Sequence, residues 1–229
     1  MSSPRRASLT LTAGMILCAG ILAATLTTTD PEWWELYFSR LGMTDDLSAM
    51  LFNGGLIAAG VVITASAVMM RIWLISTPMI TEAKYRHAAR VVPFFVATLG
   101  MSLGAIGVFP LSVDKAAHDN SSLLMLSSFA CLLIVHRIFL RQLSPRLTRL
   151  AAIAGVTMVA SMAAMTLGWI NLTLFEAIGF TVILTWVHLL EVQLRSLAPA
   201  IAWKPSANSQ RLSLSPIWGT SKVALLSIQ

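Results

Sequence analysis

Six apolar runs, separated by short loops that collect most of the charge, constrain this chain more than any other feature. They lie at roughly residues 7–28, 47–70, 91–109, 121–140, 150–169 and 174–194. Each is near the ~17–25 residues that a helix needs to cross a hydrocarbon core of ~30 Å. Lone strands would leave backbone groups unpaired in lipid, so the runs are expected as helices. Only 11% of the residues are charged and 56% are apolar, whereas an ordinary soluble domain is about 25% charged. A soluble globular domain is excluded. The expected fold class is all-α: a polytopic membrane protein built as a bundle of six transmembrane helices.

The charge is distributed unevenly along this frame. With the N-terminus cytoplasmic, fourteen of the sixteen Lys and Arg fall in inner segments, and only Arg40 and Lys115 fall outside. That is the positive-inside pattern, and the acidic residues Asp30, Glu32, Glu35, Asp45, Asp46, Asp114 and Asp119 run the other way. The net charge of +6 therefore reports topology and contact with anionic inner-leaflet lipid, and no nucleic-acid partner is expected. Arg5 and Arg6 before the first run fit the outline of a signal peptide. The run is long enough to span, however, and no clean A-x-A site ends it, so a retained first helix is expected. The expected location is the cell inner (plasma) membrane, multi-pass, with both termini cytoplasmic. Residues 1–195 form the transmembrane domain. Residues 196–229, with Trp203, Pro205, Pro216 and scattered Ser and Lys, read as a flexible cytoplasmic tail whose segment Ile217–Ile228 lies on the membrane surface.

Polar residues that run into apolar helices need partners, and they gather in three places. The outer group joins the Asp30–Asp46 loop, Asn53, the Asp114–Asn120 segment, Asn171 and Glu176. Ser39, Arg40, Asn53, Asn120 and Glu176 are its candidate ligand-binding residues. Asp114 and His118 are its candidate catalytic pair, because a carboxylate four residues before an imidazole on one helix can orient it as a general base. The competing expectation is that Asp114 caps the helix and His118 sits in headgroup water. Asn53 is expected to be buried and partnered by Ser39, His118, Asn120 or Glu176, since an unpaired amide in hydrocarbon costs a few kcal/mol. At the inner side, His136 and His188 could face each other as haem ligands, although their bland role is hydrogen bonding to neighbours. Glu191 and Arg195 have the spacing of an intrahelical ion pair. The third group, Arg71 to Arg90, reads first as a topology determinant.

No spacing asks for a metal or a cofactor. Cys18 and Cys131 lie inside apolar runs, form no CxxC and are read as apolar filler. Stripes of small residues are read as packing faces: Gly55 with Ala59, Gly100 with Gly104 and Gly107, and Ala160 with Ala164 and Gly168.

Ser39-x-Leu41-Gly42, Leu51-Phe52-Asn53-x-Gly55 with Gly60, and Gly107-Val108-Phe109-Pro110 followed by His118 resemble the DUF998 family of bacterial six-helix membrane proteins. That family is similar to the wider FRAG/DRAM/SFK group. The resemblance implies a six-helix bundle with both ends inside, and eukaryotic relatives are tied to lipid remodelling or membrane-lipid organisation. It transfers no activity, so Ser39, Asn53 and His118 carry over only as motif positions. The expected function is a lipid-associated or lipid-handling integral membrane protein with a polar cavity at the extracytosolic face. Its rivals are a membrane-embedded hydrolase or transferase using Asp114 and His118, and a haem-binding electron-transfer protein. Membrane lipids are the expected partners, alongside a homo-oligomer or a partner membrane protein.

Overall fold

The computed structural model describes residues 8–198. The tail expected from residue 196 lies outside the described residues from 199 onward, as do Arg5 and Arg6. Six long helices, each apolar enough to cross a membrane, make up the bundle: α1 (Leu9–Thr27), α2 (Leu47–Ser76), α3 (Ala83–Val108), α4 (Lys115–Val135), α5 (Pro145–Thr166) and α6 (Leu172–Leu197). No strand occurs among the described residues. The last turn of α4 widens into a π-helix over His136–Leu140. One end of the bundle carries the acidic loops and the other carries Arg71, Lys84, Arg137 and Arg141; they are called here the acidic and basic ends.

Five of the six helix starts are marked by a side chain that accepts a backbone N–H left without an intrahelical acceptor, α3 being the exception. Ser8, Asp46, Asp114, Ser144 and Asn171 do this for α1, α2, α4, α5 and α6. Two boundaries differ from the sequence expectation. The basic cluster Lys84, Arg86, His87 and Arg90 forms the first two turns of α3 rather than a loop. α4 begins at Lys115, six residues before its apolar run. Polar turns prolong a helix past the hydrocarbon without changing its hydrogen bonding, and hydropathy does not register them.

α2 lies between α1 and α3, and glycines set both approaches. Gly20 and Gly55 meet where α1 crosses α2. A Cβ at Gly60 would stand 2.6 Å from the Gly100 carbonyl, and one at Gly107 the same distance from the Asn53 carbonyl. Such close backbone approach suits a membrane, where no hydrophobic drive brings helices together. The Ala160–Ala164–Gly168 stripe is different. Ala160 and Gly168 are exposed, and Gly168 has φ +74°. It closes α5 in a left-handed cap, with Gly168 N–H donating to Met165 O and Trp169 N–H to Ala164 O. The four-residue spacing there is a helix stop, not a packing face.

Candidate functional site

Between α1 and α2 the chain folds back into the acidic end of the bundle. A single helical turn at Trp33–Leu36 is followed by a 3-10 turn at Phe38–Gly42. Phe38, Ser39, Leu41 and Gly42 are buried, so their polar groups need partners from the surrounding helices. α6 supplies Glu176, which accepts the Phe38 N–H at 2.7 Å. Asn171 and Thr173 of the same helix donate to the carbonyls of Trp34 and Trp33. α2 supplies Ser48, whose hydroxyl donates to Leu41 O, and Asn53, whose amide donates to Gly42 O at 3.0 Å. A Cβ at Gly42 would overlap the Asn53 side chain.

α4 supplies His118, which is 6% exposed. Its Nδ1–H donates to the Phe109 carbonyl at 3.0 Å, and that bond leaves the lone pair of the neutral ring on Nε2. The Ser39 hydroxyl, 2.9 Å away, donates to it. Asp114 takes no part. Its carboxylate accepts the Ala117 N–H at 2.9 Å as the α4 cap, so the expected Asp114–His118 pair is replaced by Ser39–His118–Phe109 O. The imidazole is not in headgroup water either.

Behind this turn lies a cavity of about 440 Å³. Ser39, His118 and Glu176 line it together with Tyr37, Lys115, Asp119 and Ser122, and its walls are Phe52, Leu123, Met125, Leu126, Phe175 and Phe180. Of its lining residues, Lys115, Asp119 and Leu123 on α4 and Leu172 on α6 are exposed, so the cavity is open along these two helices and toward their acidic ends. Lys115 and Asp119 form an exposed ion pair at 2.5 Å. Lys115 and Asp119 belong to the Asp114–Asn120 segment already grouped with the site, and the polar group that sequence reasoning missed is Ser122, four residues after His118. The helical spacing was there to be followed from the histidine.

Three candidate ligand-binding residues lie elsewhere. Arg40 pairs with Asp30 and Glu32 in the loop, and its guanidinium holds the Asp30 carboxyl below the usual range. Asn120 is exposed on another face of α4. Asn53 is half-buried and partnered, but by the Gly42 carbonyl rather than by Ser39, His118, Asn120 or Glu176. Asp46, hydrogen-bonded by Ser48 and Thr44, is likewise held below the ordinary carboxylate range.

At the basic end the two histidines that could have faced each other do not. His136 bonds Thr148 through Nε2 and packs edge-on against Trp186, ring centroids 5.6 Å apart. His188 turns toward α1, with Nδ1 2.8 Å from the Ser8 hydroxyl. Among the described residues no three His, Cys, Asp or Glu side chains gather as metal ligands would.

A bundle of six long apolar helices of this kind defines a multi-pass membrane protein. The family model described as "Protein of unknown function (DUF998)" matches residues 11–193, and the chain belongs to that family. No curated protein and no solved structure matches it.

Proposed function

We propose that the protein binds a membrane lipid in the cavity at its acidic end. The observation that carries this reading is the cavity's shape and lining. Phenylalanine and leucine walls suit an acyl chain, Ser39, His118 and Glu176 offer polar partners, and the exposed lining residues of α4 and α6 include the apolar Leu123 and Leu172. Small-molecule sites combine mainly apolar walls with a few placed polar groups in this way. Apolar Leu123 and Leu172 beside charged Lys115 and Asp119 at the opening favour an amphiphile, with a chain and a headgroup, over a wholly polar solute.

In this reading the acidic end faces outward, both termini are cytoplasmic and the membrane is the plasma membrane, because the basic residues favour the inner side. A bacterial source and kinship with the FRAG/DRAM/SFK group, tied to lipid remodelling, belong to the same reading and rest on the motif residues. Membrane lipid is the partner, nucleic acid is not, and a homo-oligomer or second membrane protein is compatible with it.

The test is lipid retention. Protein purified in mild detergent should carry a bound lipid visible by native mass spectrometry. Ser122→Phe, which narrows the cavity from α4, should lower the bound fraction by ~10-fold, the effect of ~1.4 kcal/mol. Equal retention by wild type and variant would defeat the reading.

A further inference from the structure

We infer that Ser39 is a nucleophile, activated by His118, that cleaves a carboxylic ester of the lipid held in the cavity. The inference rests on the lipid-binding reading for its substrate class, and on separate geometry for its chemistry.

Three groups carry it. Ser39 Oγ lies 2.9 Å from His118 Nε2, and His118 Nδ1 lies 3.0 Å from the Phe109 carbonyl. A carbonyl oxygen only accepts, so Nδ1 bears the proton and Nε2 faces the serine with its lone pair. This is the arrangement of a nucleophile, a base and a group that orients the base, here a backbone carbonyl in place of a carboxylate. The two side chains are 79 residues apart in sequence and come from different elements. Both are buried, 7% and 6% exposed, yet both line the cavity. A serine there is reached from the cavity. His118 forms no bond to Asp114 that would provide a competing base.

The reaction balances without a redox partner. Ser39 Oγ attacks the ester carbonyl carbon as its proton passes to His118 Nε2. Collapse of the tetrahedral adduct breaks the bond to the ester oxygen, and the proton on Nε2 goes to the departing alcohol. The acyl group is then on Ser39. Water enters, gives a proton to His118 and attacks the acyl carbonyl. The proton returns to Ser39 as the fatty acid leaves, and lipid ester plus water has become acid plus alcohol. Phe175 and Leu126 supply apolar surface for the acyl chain.

An alkyl fluorophosphonate of long chain, added to the full-length protein in phospholipid nanodiscs, traps such a serine as a stable phosphonyl ester. The expected result is one adduct by intact mass, mapped to Ser39, absent in Ser39→Ala. His118→Ala should slow its formation at least ~100-fold, the scale of general-base assistance. Native mass spectrometry of the same samples reports bound lipid. Lipid bound with no adduct on wild-type Ser39 overturns the nucleophile and leaves the binding reading standing. Neither lipid nor adduct overturns both. An adduct whose rate is indifferent to His118→Ala, in a variant that still retains lipid, overturns the role of the base. A Ser39–His118 bond that only pins the 3-10 turn to α4 gives the first of these outcomes.

Discussion

α6 carries two carboxylates, one near each end of the bundle, and both accept backbone N–H groups from another segment. Glu191, at the basic end, is fully buried. It accepts from Leu9 N–H, Thr10 N–H and the hydroxyls of Ser8 and Thr10, and it pairs with Arg195 at 2.6 Å. The N-terminus of α1 has no acidic residue in its first turn, so Glu191 supplies from α6 the negative charge that a helix start favours. Glu176, at the acidic end, is half-buried, takes a single backbone N–H and lines a cavity. The helices follow the same division. Near the basic end Phe129 and His136 of α4 pack edge-on against Trp186 of α6, whereas near the acidic end α4 and α6 are the two rims of the cavity. A saturated carboxylate holds helices together, and one with hydrogen-bonding capacity to spare beside an open space is available to a ligand.

The largest expected effect falls on the saturated end. Glu191→Ala takes the acceptor from the Leu9 and Thr10 N–H groups and removes one ionic partner of Arg195, and should cost about 3–5 kcal/mol, the scale of breaking a buried pair. Thermal unfolding in detergent should show it as a large drop in midpoint. A drop no larger than that of a surface variant would mean that the α1–α6 junction is not what holds this end together.

A smaller effect is expected at the cavity. Glu176→Ala leaves the Phe38 N–H unpaired, at about 1–3 kcal/mol. Glu176→Gln keeps an acceptor oxygen for that N–H, so its unfolding midpoint should stay near wild type while lipid retention changes. If Glu176→Gln unfolds as early as Glu191→Ala, the contrast between the two carboxylates fails.

The smallest effect belongs to the Asp30–Arg40 pair in the loop. Because Arg40 holds the folded Asp30 pKa below its ordinary value, the pair's contribution is complete above about pH 4. It is lost as pH falls through the lowered folded value. Fluorescence from Trp33 and Trp34, followed in detergent from pH 6 to pH 3, should change only at the acid end of that range. In Arg40→Ala the change should begin at higher pH. Identical profiles would remove the pair from the account.

The bundle was legible in the sequence because hydropathy is local: six runs gave six spans, and the Glu191–Arg195 pair followed from a four-residue spacing. Helix ends were less legible, since Lys84–Arg90 and Lys115–Asn120 continue helices in polar residues. Within the site, Ser39, His118 and Glu176 stood out as polar groups next to apolar runs. Their grouping depended on the backbone, which a search for side-chain pairs does not reach. The Phe109 carbonyl orients His118, the Gly42 carbonyl takes Asn53, and the Phe38 N–H takes Glu176. An Asp four residues before His118 reads equally as a partner for the imidazole and as a helix cap, and the structure shows the cap, through the Ala117 N–H. Only the fold of the 33–42 segment puts Ser39 at the imidazole.

The central claim is that lipid occupies the space between α4 and α6 at the acidic end. A phospholipid carrying a photoreactive group on its acyl chain, crosslinked to the protein in nanodiscs and mapped by peptide mass spectrometry, tests it most directly. Crosslinks should concentrate on cavity-lining residues of α4 (Leu123, Leu126) and α6 (Phe175, Phe180), and Ser122→Phe should diminish them. Labelling spread evenly over the exposed faces of the bundle, with Val156 and Val159 of α5 marked as strongly as the cavity walls, would contradict it.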